Sequence, residues 1–189
     1  MIRSGSTVLY QIASGIVELR GTGARCGYYE PPNPPPLPTS TTHNPQPTTL
    51  VYKVPWLGDY EKQLIRDGAI AFYSHRYIED ALASMYRAFK IPEGTQWLYR
   101  VLTEGHNREM VRLLGNADAV PALHTISFGC IRDHLRDVIV QVAERIPGRE
   151  LTGDEIDRLH ADLSLDRQRA RPKVEPYDPH TMLFPQHFD

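Results

Sequence analysis

The chain has 189 residues, 41 % hydrophobic and 23 % charged, with 21 Lys and Arg against 23 Asp and Glu for a net charge of −2. That is enough for one domain with its own core, and it holds no basic excess that would point to nucleic acid or an anionic membrane. Cys26 and Cys130 are too few for a disulfide framework, and the eight histidines include no i, i+4 pair, so two reduced thiols and no metal are expected. No run is long and apolar enough to span a bilayer, and no basic-then-apolar leader opens the chain, which leaves a cytoplasmic location as the default expectation.

In chain order, Val8, Ile12, Ile16 and Val17 recur at helical spacing, predicting a helix from Ser6 or Thr7 that fades at Gly21 and Gly23. Residues 30–47 change character: the run Pro31-Pro32-Asn33-Pro34-Pro35-Pro36-Leu37-Pro38 reads as a proline-rich surface loop inserted in the domain. Thr49 to Val54 is a β-rich run ended by Pro55, and Tyr60, Leu64 and Ile65 mark a short helix. Ala69-Ile70-Ala71-Phe72-Tyr73 is continuously apolar, the pattern of a strand buried on both faces. Ile78, Leu82, Met85 and Phe89 then predict a helix.

The second half reads as mostly helical. Trp97 to Leu114 is one helix, Ala122 to Phe128 a strand, and the stripe from Ile131 through Val138 and Val142 to Ile146 a long helix. Thr152 followed by Glu155 is a capping box opening a helix that buries Ile156, Leu159 and Leu163. Strands alternating with helices imply a mainly parallel sheet. The expectation is one α/β domain over 1–171 with a helix-rich second half, and an extended tail over 172–189.

Two segments carry chemistry. Arg3-Ser4-Gly5-Ser6-Thr7 runs straight into the first helix; small residues let backbone N–H groups converge, hydroxyls add donors, and a helix N-terminus favours an anion. It lacks the lysine of GxxxxGK[ST]. Arg76, Asp80 and Ser84 stand four apart after the third strand, with Asp80 and Ser84 on one helix face and Arg76 at the strand end, where open α/β sheets gather ligands.

In this order, the two segments resemble the motifs of the PAPS-dependent sulfotransferase superfamily, above all its short bacterial members. Arg3 to Thr7 matches that family's 5′-phosphosulfate loop, and Arg76, Asp80 and Ser84 match its R-x-x-x-D-x-x-x-S 3′-phosphate motif. Lys53 stands where the family has a strand-end lysine, and Ser127-Phe128-Gly129 where it has Arg-Tyr-Glu; the likeness covers most of residues 2 to 165.

The resemblance implies a P-loop-like three-layer fold and transfer of a sulfuryl group from PAPS, as co-substrate, to the hydroxyl or amine of a small-molecule, glycan or lipid acceptor. It implies that Arg3 and Lys53 neutralise the leaving 5′-phosphate, helped by Ser4, Gly5, Ser6 and Thr7, while Arg76 and Ser84 hold the 3′-phosphate. Departures are also present. Only Met1 and Ile2 precede the loop, the closing glycine-rich segment has no counterpart before Asp189, Pro55 replaces the usual histidine base, and Val8 replaces an adenine-stacking tryptophan. These carry the alternative of a truncated, non-catalytic protein that binds nucleotide or scaffolds a partner. Asp59, Glu61 and His43 read as plain surface residues, so no general base is assigned. A nucleotide kinase-like enzyme would need the lysine that the loop lacks.

Overall fold

A computed structural model describes residues 5–29, 49–54, 57–89 and 123–170 of the chain. The first helix, α1 (Ser6–Arg20), forms where the apolar spacing predicts it, and Leu9, Ile12, Ile16 and Val17 are buried along its length. It stops at Gly21, whose left-handed backbone (φ 66°) lets its N–H reach the Glu18 carbonyl at 3.0 Å while Thr22 reaches that of Val17 at 3.1 Å.

Directly after this turn comes a strand that the sequence pattern does not announce, β1 (Gly23–Tyr28). It pairs in parallel with β2 (Thr49–Lys53), from Gly23 opposite Thr49 to Tyr28 opposite Lys53. Between Arg25 and Gly27 the register slips by one, so Cys26 is an extra residue, and the Gly27 N–H donates to the hydroxyl of buried Tyr10 at 2.9 Å. A short helix, α2 (Asp59–Arg66), follows, then β3 (Ala71–His75) and α3 (Ile78–Phe89), the last with the bounds its spacing predicts.

The second parallel pair is β3 with β4 (Leu123–Ser127), running from Ala71 opposite Leu123 to His75 opposite Ser127. Mixed α/β character and parallel pairing are therefore present. The single sheet is not: among the described residues β1–β2 and β3–β4 are two separate two-stranded pairs. What unites them is α1, which packs on β1, β2 and β3. Val51, Phe72 and Ile126 of the strands join one core with Ile12, Ile16 and Val17 of that helix.

Three expectations about the strands and helices need correcting. The third strand lies two residues further on than Ala69–Tyr73, and of its residues only Ser74 is buried, because among the described residues β3 pairs along one edge only. The predicted strand to Phe128 stops at Ser127, whose side chain caps the next helix by accepting from the Cys130 N–H at 3.1 Å. The stripe from Ile131 to Ile146 is not one helix but two, α4 (Phe128–Asp133) and α5 (Leu135–Arg145), broken at His134 (φ −134°, ψ 41°). The break preserves the phase of the stripe, since Ile131, Val138, Ile139, Val142 and Ile146 are all buried.

The capping box opens α6 (Gly153–Leu163) as expected: Thr152 Oγ1 accepts from the Glu155 N–H at 3.3 Å and Glu155 Oε2 accepts from the Thr152 N–H at 2.9 Å. Leu159 and Leu163 are buried against the core, with Ile156 half-buried beside it. A last short helix, α7 (Leu165–Arg169), starts at Ser164, whose side chain accepts from the Arg167 N–H. Two arginines clamp the helix ends together. Arg20 donates to the carbonyls of Ile146 (2.6 Å) and Ala143 (3.0 Å) at the end of α5, and Arg149 donates to Leu19 (3.0 Å) while pairing with Glu155 (2.6 Å). Among the described residues no helix is long and apolar enough to cross a membrane. The proline-rich loop 30–47, the helix from Trp97 to Leu114 and the tail 172–189 lie outside the described residues.

Candidate functional site

Gly5 enters α1 with φ 90°, a conformation that L side chains rarely adopt. A Cβ there would also come within 2.9 Å of Ile131 Cδ1 and 3.1 Å of Phe128 Cδ2. Glycine is thus required twice, by the turn and by the close approach to α4. Among the described residues no side chain caps α1, and no acidic residue stands in its first turn, whereas α6 carries the Thr152–Glu155 box. Ser6 is half-exposed at the first helical position and Thr7 is buried behind it.

Lys53 closes on the same turn. As the last residue of β2 it sends its ammonium to Thr7, Nζ donating to Oγ1 at 2.7 Å. Burial pushes its pKa down to about 8, because the side chain leaves water for the neutral Thr7 hydroxyl, with no ion pair to a carboxylate among the described residues. The ammonium is therefore mostly present at pH 7, and poorly compensated. An anion placed beside it gains more than it would beside an exposed lysine.

The second motif reaches the same place from β3. Arg76 follows His75, at the end of the strand, and its guanidinium lies 4.3 Å from the centre of the Phe128 ring. Its Nε is buried with no hydrogen-bond partner among the described residues; the Asp80 carboxylate, 3.9 Å away, is an ion-pair neighbour but beyond hydrogen-bonding reach. Burial lowers the Arg76 pKa, Asp80 opposes that shift, and the charges of Arg87 and Arg132 add to it. Ser84 lies one turn past Asp80 on α3 and is buried.

No protein-family model, curated protein or solved structure matches the chain. The site therefore stands on its own geometry.

Of the residues singled out from sequence, the structure brings Gly5, Ser6, Thr7 and Lys53 into one group, and Arg76 beside it through the shared Phe128 ring. Arg3 and Ser4 lie outside the described residues. Glu61 is not the surface residue its position implied. It is buried, accepts from the Tyr29 hydroxyl at 2.7 Å and from the Gly58 N–H at 2.8 Å, and holds the start of α2 to the end of β1. The Asp59 side chain is fully exposed, 3.7 Å from Lys62. Phe128, noted in the sequence only as part of Ser127-Phe128-Gly129, was given no role there; an aromatic at the first helical position after a strand was the available signal. Among the described residues no group of three His, Cys, Asp or Glu side chains could hold a metal ion.

Proposed function

We propose that this chain binds a bis-phosphorylated adenosine nucleotide, PAPS, on a P-loop-like three-layer arrangement and transfers its sulfuryl group to an acceptor hydroxyl or amine. The observation that carries this is that Lys53 reaches Thr7 in the first turn of α1, while Arg76 lies on the Phe128 ring that packs against the Gly5 turn. Among the described residues the buried Arg76 Nε makes no hydrogen bond, and the buried Lys53 ammonium has a neutral hydroxyl for its partner, so both would gain from a bound anion. Two such groups suit a ligand with two separated phosphates.

In this reading the first-turn amides of α1, Ser6 and Thr7 hold the 5′-phosphosulfate, and Arg3, which lies outside the described residues, is the further cation that the resemblance assigns to it. The acceptor oxygen or nitrogen attacks sulfur, the bond from sulfur to the 5′-phosphate oxygen breaks, and adenosine 3′,5′-bisphosphate leaves while the acceptor proton passes to solvent. The leaving phosphate gains negative charge as that bond breaks, and the Lys53 ammonium stands where that charge would be stabilised. Arg76 and Ser84 hold the 3′-phosphate and fix register, without touching the reacting atoms.

Calorimetric titration tests this with adenosine 3′,5′-bisphosphate, adenosine 5′-phosphosulfate and ATP with Mg²⁺. Preference for the bisphosphate supports the proposal, preference for ATP replaces it with a kinase-like reading, and binding of neither leaves a scaffold. Ser84→Ala sharpens the test. A hydrogen bond to a charged group is worth roughly 1.5–3 kcal/mol, so the bisphosphate should bind about 10- to 100-fold more weakly while the 5′-phosphosulfate is unaffected. Equal losses for both ligands would remove Ser84 from the site.

A further inference from the structure

Arg76 is held by little that is polar. Among the described residues its Nε has no hydrogen-bond partner, Asp80 stands at 3.9 Å with a largely exposed carboxylate, and two further arginines repel it. Under the guanidinium lies the Phe128 ring face, 4.3 Å from centroid to Cζ. The same ring meets the Gly5 turn: its Cδ2 and Cε2 lie 3.1 and 3.7 Å from where a Gly5 Cβ would be. One side chain thus touches both halves of the candidate site. It is anchored at the first position of α4, whose N-cap is satisfied by Ser127 and whose Ile131 is buried against the same turn.

We propose that Phe128 is the positioning residue of the site: its face orients Arg76, its edge sets the Gly5 turn, and so it fixes the separation between the two phosphate subsites. This rests on the proposed nucleotide site for its consequence, but not for its geometry. A planar cation on a ring face keeps its in-plane N–H donors free to point outward, which a carboxylate partner would consume. Arg76 is thereby ordered by the ring, with the Asp80 ion pair at 3.9 Å leaving its N–H donors unconsumed by a direct hydrogen bond to that carboxylate.

The test uses the full chain with Phe128→Leu and Phe128→Met, which keep apolar bulk but remove the ring, and Phe128→Tyr, which keeps it. In ligand-free protein, modification of Arg76 by phenylglyoxal is followed by peptide mass spectrometry, with exposed Arg158 as the internal reference. Loss of the ring should speed Arg76 modification by about 3- to 30-fold, the range that a cation–π contact spans, while Tyr restores the wild-type rate. An unchanged Arg76 rate in a folded Leu or Met variant overturns the proposal. The second measurement is the ratio of adenosine 3′,5′-bisphosphate to adenosine 5′-phosphosulfate affinity. The ring-less variants should lose most of the advantage that the 3′-phosphate confers, and adding Arg76→Met should cost them little more. Additive losses, or a retained ratio, would assign Phe128 to packing alone. If the wild-type chain binds neither nucleotide, the proposed function falls, and the labelling rate still decides the role of Phe128.

Discussion

Lys53 shows most sharply how burying one charged residue can weaken a fold. Its pKa is about 8 in the folded chain and 10.5 when unfolded, so between those values the unfolded state binds more protons and stability rises with pH. Below pH 8 both states are charged and the full cost of burying the ammonium is felt, up to about 3 kcal/mol at ~1.36 kcal/mol per pKa unit. Lys53→Met should therefore raise the melting temperature at pH 7 and flatten the rise in stability between pH 8 and 10.5, while weakening nucleotide binding by tenfold or more, on the order of one charged hydrogen bond. Differential scanning calorimetry across that pH range checks the first half and titration the second. A Met variant that melts lower at pH 7 than the wild type would mean that the Thr7 hydrogen bond outweighs the desolvation. An anion bound beside Lys53 raises its pKa again, so binding at pH 8 should take up protons. Titration in two buffers of different ionisation enthalpy reads that uptake directly.

At the scale of elements, the joints are made by backbone approach and by arginine caps. Gly23 starts β1 so close to β2 that a Cβ would lie 2.5 Å from the Thr49 carbonyl oxygen and 2.8 Å from Val17 Cβ. Backbone cannot yield as a side-chain tip can, so Gly23→Ala should destabilise the chain by about 1–3 kcal/mol, read as a lower urea midpoint at constant slope. Arg20→Met removes two donors from the part-buried carbonyls that end α5 and should cost about 1–3 kcal/mol in the same assay. The exposed Arg136–Asp157 pair joins α5 to α6 and serves as the contrast; Arg136→Met should change stability by about 0.5 kcal/mol or less. Sequence periodicity finds elements whose apolar spacing is their own, and so α1, α3 and α6 were readable before any coordinates. It does not find β1. Gly23-Ala24-Arg25-Cys26-Gly27-Tyr28 carries no alternation, and these residues are strand because α1 and β2 are there to receive them. Nor does it find the break at His134, since the apolar stripe stays in phase across it.

Across the whole molecule, the sequence assigned both segments of the candidate site to one place but not the object that joins them, because Phe128 matters only through tertiary contact. The same holds for Glu61, which looks like helix surface until Tyr29 meets it. Burial is also shared unequally. Ile12, Ile16, Val17, Ile139 and Val142 show no exposure at all, and all five belong to α1 or α5, whereas every residue of β2 remains partly exposed. Amide hydrogens should therefore exchange on two clocks: slowest along α1 and α5, at the rate of global opening, and faster along β2, through local opening. The Thr7–Lys53 contact straddles that boundary, with its hydroxyl on the slow body and its ammonium on the fast one. A ligand that bridges them should slow exchange in β2 toward the rate of α1 and leave α5 unchanged. The pattern of protection, followed by mass spectrometry with and without adenosine 3′,5′-bisphosphate, would show the strand being recruited into the helical body rather than the whole chain stiffening.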